Sequence, residues 1–199
     1  MPSNRRTGRN NDAASLQRYL DSLVIRYNTP GFIDKDPISI PRQFTQLQDI
    51  EIMGFWTAML SWGQRITIIH KSQELIRLMD GAPYAFITQH SEKDLKRFST
   101  FAHRTFQSTD TLYFIDFFKR WYAAQESLET AFLCDGYATE DTVEKMLIHF
   151  HTLFFEGPFV PQRTRKHVPT PASKSACKRL NMFLRWMVRK DKQGVDFGL

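Results

Sequence analysis

The stretch from Ile50 to Trp62 most constrains the fold. It is apolar on nearly every side of a helix, so it must sit at a centre with other elements packed around it. Asp49 is placed to cap its start, and Gly63 to end it in a left-handed turn. A second helical pattern follows, with Ile66, Ile69, Leu75, Ile76 and Met79 on one face and Gly81 and Pro83 closing it. Helix, glycine turn, helix is the main supersecondary unit the sequence predicts.

Further helices surround it. The first is expected from an Asp12 cap to Asn28, with Ala13, Leu16, Leu20, Leu23, Val24 and Tyr27 facing inward. Thr29 to Pro41 carries three prolines and predicts an ordered, extended loop. Ser91 with Asp94 forms a capping-box pattern for a short helix through Phe98. Asp110 is placed to cap an aromatic helix from Thr111 to Ala124, Ser127 starts a short helix, and Thr139 is placed to cap another. Gly157 to Pro171 predicts a proline-rich loop before a last helix from Lys174 to Lys190. No segment predicts a strand. The expectation is an all-α multi-helix orthogonal bundle, with a flexible basic tail at 1–12 and one domain at 13–199.

The net charge of +6 is unevenly spread. Between Arg163 and Lys192 there are ten Lys or Arg against one acid, Asp191, a net +9. On the last helix Lys174, Lys178, Asn181, Arg185 and Arg189 fall along one predicted face, opposite the apolar stripe Leu180, Phe183, Leu184, Met187 and Val188. Together with the loop residues Arg163, Arg165, Lys166 and His167, this face is suited to a polyanion. Ser173 and Ser175, at the predicted helix start, add hydroxyl and backbone donors for a phosphate. Gln64 and Arg65, at the tip of the helical hairpin, are placed to probe a groove or a base.

Other chemistries find little support. His149 and His151 lie on different sides of a helix and lack a ligand set, so no metal is expected. Neither Cys134 nor Cys177 sits in a catalytic or redox motif. No phosphate-binding glycine loop occurs, so no nucleotide or other cofactor is expected. The absence of a signal peptide pattern and of a long apolar run predicts a soluble, cytoplasmic protein without membrane contact.

Two stretches carry a resemblance. Tyr27-Asn-Thr-Pro-Gly-Phe continues through Asp49-Ile-Glu-Ile-Met-Gly-Phe to Ser61-Trp-Gly-Gln-Arg, and Lys178-Arg-Leu-Asn-Met-Phe-Leu-Arg-Trp-Met-Val-Arg leads to Gly194-Val-Asp-Phe-Gly. On these the chain is identified as a member of a bacterial family, domain of unknown function 2400, from about Leu16 to Leu199. That family distantly resembles the helix-hairpin-helix base-excision DNA glycosylases. Ala58-Met-Leu-Ser-Trp-Gly-Gln-Arg followed by Ile66 to Met79 is similar to their helix–turn–helix unit. The resemblance implies a helical glycosylase fold, DNA as partner, and Gln64 as a DNA-facing turn residue. It also implies Lys174 or Lys178 as the amine nucleophile, with Arg65, Arg163, Arg165, Lys166, Ser175, Arg179, Arg185 and Arg189 around the DNA.

The sequence departs from the glycosylase pattern in two places. The glycine-bearing hairpin that binds a phosphate is replaced by His167-Val-Pro-Thr-Pro-Ala-Ser, whose prolines remove N–H donors. The segment bearing the catalytic aspartate is expected beyond Leu199. The reading is therefore a DNA-binding, glycosylase-like protein whose fold and catalytic set are incomplete in this chain. The alternatives are a non-enzymatic nucleic-acid-binding module or a protein-interaction module with a basic face.

Overall fold

A computed structural model describes residues 7–199, with side chains from Asp12 onward. Among the described residues the protein is an all-α bundle without strands. The helices are α1 (Thr7–Tyr27), α2 (Leu47–Leu60), α3 (Arg65–Leu78), α4 (Pro83–Gln89), α5 (Glu92–Leu95), α6 (Ser108–Tyr122), α7 (Glu144–Phe154) and α8 (Lys178–Val188). None of the described helices is long and apolar enough to cross a membrane.

As its composition requires, α2 is the central element, buried along its whole length from Asp49 to Leu60. It packs against α8, α3 and α4. Phe55 meets the rings of Phe114, Phe118, Phe150, Phe154 and Phe183 at centroid separations of 5.4 to 5.8 Å, within the range where tilted and edge contacts are favourable. Gly54 permits the close approach of α8: a Cβ there would lie 3.0 Å from Met187 Cε. One contiguous hydrophobic cluster runs from Ile38 to Met187.

Several boundaries differ from the sequence expectation, each for a local reason. The helix of α1 already includes residues 7–12, and residues 1–6 of the expected basic tail lie outside the described residues. The face of α1 expected to be inward is exposed, with Leu16 at 57% and Leu20 at 49%. The region around Pro30, Pro37 and Pro41 is not extended: each proline opens a 3-10 turn, where its fixed φ is an advantage. Asp49 lies inside α2 rather than capping it, and its carboxylate accepts the Tyr84 N–H at 2.7 Å, tying α4 to α2. In α3, Ile66 faces solvent because it lies in the first turn at the hairpin tip.

The box of Ser91 and Asp94 forms as the sequence suggests. Asp110, however, is the third residue of a second box that starts α6 earlier, at Ser108 after Gln107. Thr139 closes a 3-10 turn that follows left-handed Gly136, so α7 begins only at Glu144. The last helix begins at Lys178, not Lys174, because Lys174 and Cys177 both take left-handed conformations, with φ of 57° and 46°. Its apolar face also includes Trp186, which is buried, whereas Val188 is 58% exposed.

Candidate nucleic-acid interface

The tip of the α2–α3 hairpin is built around Trp62. After α2 ends, Gly63 takes φ 107°, a conformation that suits a residue without a side chain, and Gln64 provides the extended residue preceding α3. The Arg179 guanidinium lies over the half-buried Trp62 indole, 4.8 Å from its centroid, and donates to Met59 O at the carboxyl end of α2. Burial lowers the Arg179 pKa, and the cation pairs with no carboxylate among the described residues. Its charge is instead offset by the carbonyl end of a helix and an aromatic face. Arg179 therefore joins α8 to the hairpin and does not stand free on the surface.

Two histidines complete the setting. The His167 ring stacks on Trp62 at 5.6 Å, and His103 meets it edge-on at 5.0 Å. His103 Nε2 lies 3.3 Å from Trp62 O, a contact that requires a proton on that nitrogen. Burial lowers the His103 pKa, which favours the neutral ring.

The basic loop turns inward at the same place. Arg163 donates to Gln107 Oε1 at 2.5 Å and to Thr105 O at 2.9 Å, and lies 3.3 Å from the Asp110 carboxylate. Asp110 is fully buried and also accepts from Thr164 Oγ1 at 2.7 Å and Gln107 N at 2.8 Å. Burial pushes its carboxyl up, but the nearby His167 ring and the hydrogen bonds from Thr164 and the Gln107 backbone overcome this and hold the pKa at about 2. The His167 Nε2 lies 3.4 Å from the same carboxylate, without hydrogen-bond alignment. Arg163 is thus a structural clamp. Arg165 covers the Phe155 ring at 4.9 Å, and Arg165 and Lys166 are both exposed.

The predicted stripe on α8 divides. Lys174 lies outside the helix, and with Ser175 and Asn181 it borders a shallow depression beside Thr142 and Glu144. Ser175 Oγ accepts the Cys177 N–H at 3.1 Å. Lys174 and Ser175 precede α8, whereas Lys178, Asn181 and Arg185 lie within about 60° of one another around it, so it is Lys174 that leaves the predicted stripe. Arg185 and Arg189 both contact Asp196 Oδ2, at 3.2 and 3.1 Å, and Arg189 also reaches Asp191 at 2.5 Å. Much of the basic surplus is therefore neutralised within the fold.

The same side connects to the hairpin through Asp36. Arg65 Nε lies 3.9 Å from its carboxylate. Burial raises the Asp36 pKa; the nearby Arg65 and Arg185 charges oppose this, and Asp196 adds to it. Asp36 thus faces Arg65, as Asp196 faces Arg185. The Asp196 carboxylate is 2% exposed, and its Oδ1 has no hydrogen-bond partner among the described residues.

One contributor, Asp36, was not singled out from the sequence, and a second, Arg104, differs from the buried setting its sequence suggests. Asp36 lies among the prolines that predicted only a loop. Arg104 belongs to a His-Arg-Thr run whose flanking phenylalanines suggest a buried hub. His103 is such a hub, but Arg104 is exposed at φ 55°, with its guanidinium packed beside Gly63. Around Trp62 the surface therefore presents Gln64, Arg65 and Arg104, with Lys178 on the adjoining face of α8. Arg104 and Lys178 form no ion pair among the described residues. Lys174 and Lys178 are both exposed, which leaves neither amine the apolar cover that favours a neutral nucleophile. No group of three or more His, Cys, Asp or Glu able to hold a metal occurs among the described residues.

The family model described as protein of unknown function (DUF2400) matches residues 36–199. This chain belongs to that family. The match includes the α2–α3 hairpin, the basic loop and α8, so the elements that meet at Trp62 are parts of a DUF2400 domain. No curated protein and no solved structure matches the chain.

Proposed function

We propose that this DUF2400 protein binds DNA, with the hairpin tip and the adjoining side of α8 set against the phosphate backbone. The observation supporting this most directly is the tip itself. Arg104, Gln64 and Arg65 project around a Trp62 that is held by Arg179 and His167, so exposed polar and cationic groups stand on a rigid support. Fixed cations displace condensed counterions from DNA without first having to be ordered themselves. Lys178 and Arg185 extend this surface, and Gln64 is the group placed to meet a base edge.

The proposal is for binding rather than turnover. The resemblance to glycosylases favours DNA as the polyanion, and of the two candidate lysines only Lys178 lies on the side of Arg185. Borohydride treatment with abasic DNA is expected to trap no covalent adduct, because the exposed amine has no feature that activates it.

Fluorescence anisotropy with duplex DNA over a salt series tests the proposal. The expected affinity falls linearly on a log–log plot. Arg104→Ala with Lys178→Ala reduces the slope by about 1.8, or ~0.9 per lost phosphate contact. Absent or salt-insensitive binding would sink the proposal. Equal loss of binding to an acidic protein, with none to DNA, would reassign the surface to protein interaction.

A further inference from the structure

Phe159 is 87% exposed, the most exposed large apolar side chain among the described residues. It stands in Gly157-Pro-Phe-Val-Pro, the run between α7 and the basic 3-10 turn Gln162–His167. The run is fastened on both sides of it. Arg120 donates to Glu156 O at 3.0 Å and lies so close over Gly157 that a Cβ there would be 3.2 Å from Nη2. Val160 is half-buried against the core, and Pro161 O accepts the Thr164 N–H at 3.0 Å as the turn begins. Val160 is therefore the covered residue and Phe159 the uncovered one, although the larger ring would gain more from burial. Because its neighbours are already held, little ordering of the backbone opposes a contact made by this ring.

Two observations say what kind of group the ring meets. Along the chain the surrounding charge has one sign: Glu156 is the last acid before Phe159, and none follows until Asp191. Arg165 and Lys166 are exposed and form no ion pair among the described residues. In addition, no other large apolar side chain is exposed from Glu144 to Met187. A lone aromatic face among cations lacks the apolar cluster of a protein-binding anchor and has what a nucleobase and its phosphates require.

The ring also adjoins the hairpin tip. Arg163, four residues along and so within about 14 Å of Phe159, donates to Thr105 O at 2.9 Å. The neighbouring Arg104 packs its guanidinium beside Gly63. At the tip itself Trp62 is already covered by His167 and Arg179, so Phe159 supplies the free aromatic face that the tip lacks.

We propose that Phe159 stacks on an unpaired base, and that the DNA this protein prefers carries a single-stranded segment next to the paired segment at the hairpin tip. This rests on the DNA-binding reading above and adds its substrate class. A base inside a duplex is stacked by its neighbours on both faces, whereas an unpaired base has a face to give.

Fluorescence anisotropy of the full chain with labelled oligo(dT) and with fully paired duplex tests this. Phe159→Ala is expected to weaken oligo(dT) binding by about 5- to 100-fold and duplex binding by less than about twofold. The substitution removes a ring with almost no cover, so the variant should keep the wild-type circular dichroism and urea midpoint. Phe159→Trp should retain the affinity, and its added emission should be quenched by oligo(dT), as face-to-face contact with a base requires. Unchanged oligo(dT) affinity in Phe159→Ala, an equal loss on both DNAs, or an unquenched tryptophan overturns the proposal without touching the DNA-binding reading. A wild type that binds neither DNA overturns both.

Discussion

Replacing Asp110 with asparagine removes a charge from the junction between α6 and the basic loop while leaving the shape nearly unchanged. The carboxyl is held at about 2 from an ordinary 3.8, which corresponds to roughly 2–3 kcal/mol favouring the charged, folded form. A depressed folded pKa contributes stability that is complete above the unfolded value and is lost as pH falls through the folded one. Asp110→Asn is therefore expected to cost roughly 2–3 kcal/mol near neutrality. As the wild type loses its advantage, about 1 kcal/mol of that gap should close by about pH 3 and most of it by about pH 2. Urea unfolding at a series of pH values measures both quantities, with the variant as the reference for all other titrating groups. A cost below about 0.5 kcal/mol near neutrality, or a gap that does not vary with pH, would refute the assignment of Asp110 as the anchor of Arg163 and Thr164.

Two further substitutions separate structural cations from surface ones and buried leucines from half-buried ones. Arg179→Met keeps the apolar stem and removes a buried cation without a carboxylate partner; it is expected to alter stability by less than about 1 kcal/mol and to leave the salt dependence of DNA binding unchanged, as anisotropy would read. Leu184→Ala is expected to cost about 1 kcal/mol in urea unfolding rather than the ~2–5 kcal/mol of a fully buried leucine, because one side of Leu184 faces the groove.

The all-α class, the central position of α2 and the glycine turn at Gly63 were legible in the sequence because each depends on neighbouring residues. An apolar run on every side of a helix has to be surrounded, and a glycine between two helical patterns can turn the chain. The box of Ser91 and Asp94 was legible for the same reason. The ends of α6, α7 and α8 were less so, since suitable capping residues occur more often than helix starts. Asp110 takes the third position of its box, and the left-handed Lys174 and Cys177 delay α8. The inward face expected for α1 was not legible: its spacing does form an apolar stripe, but Leu16, Leu20, Val24 and Tyr27 are exposed, because spacing alone does not specify what covers a stripe.

The candidate site shows the same division. The sequence by itself determined that a net-basic segment, a helical hairpin and a membership-bearing pair of motifs occur in one chain. Only the tertiary structure decided which cations remain available. Arg179 meets Met59 O across 120 residues of sequence, and Thr164 meets Asp110 across 54. Arg163 follows Thr164 to the same carboxylate, while Arg185 and Arg189 meet Asp196. Charge can be counted along a chain, but its neutralisation depends on which distant groups folding brings within a few ångströms.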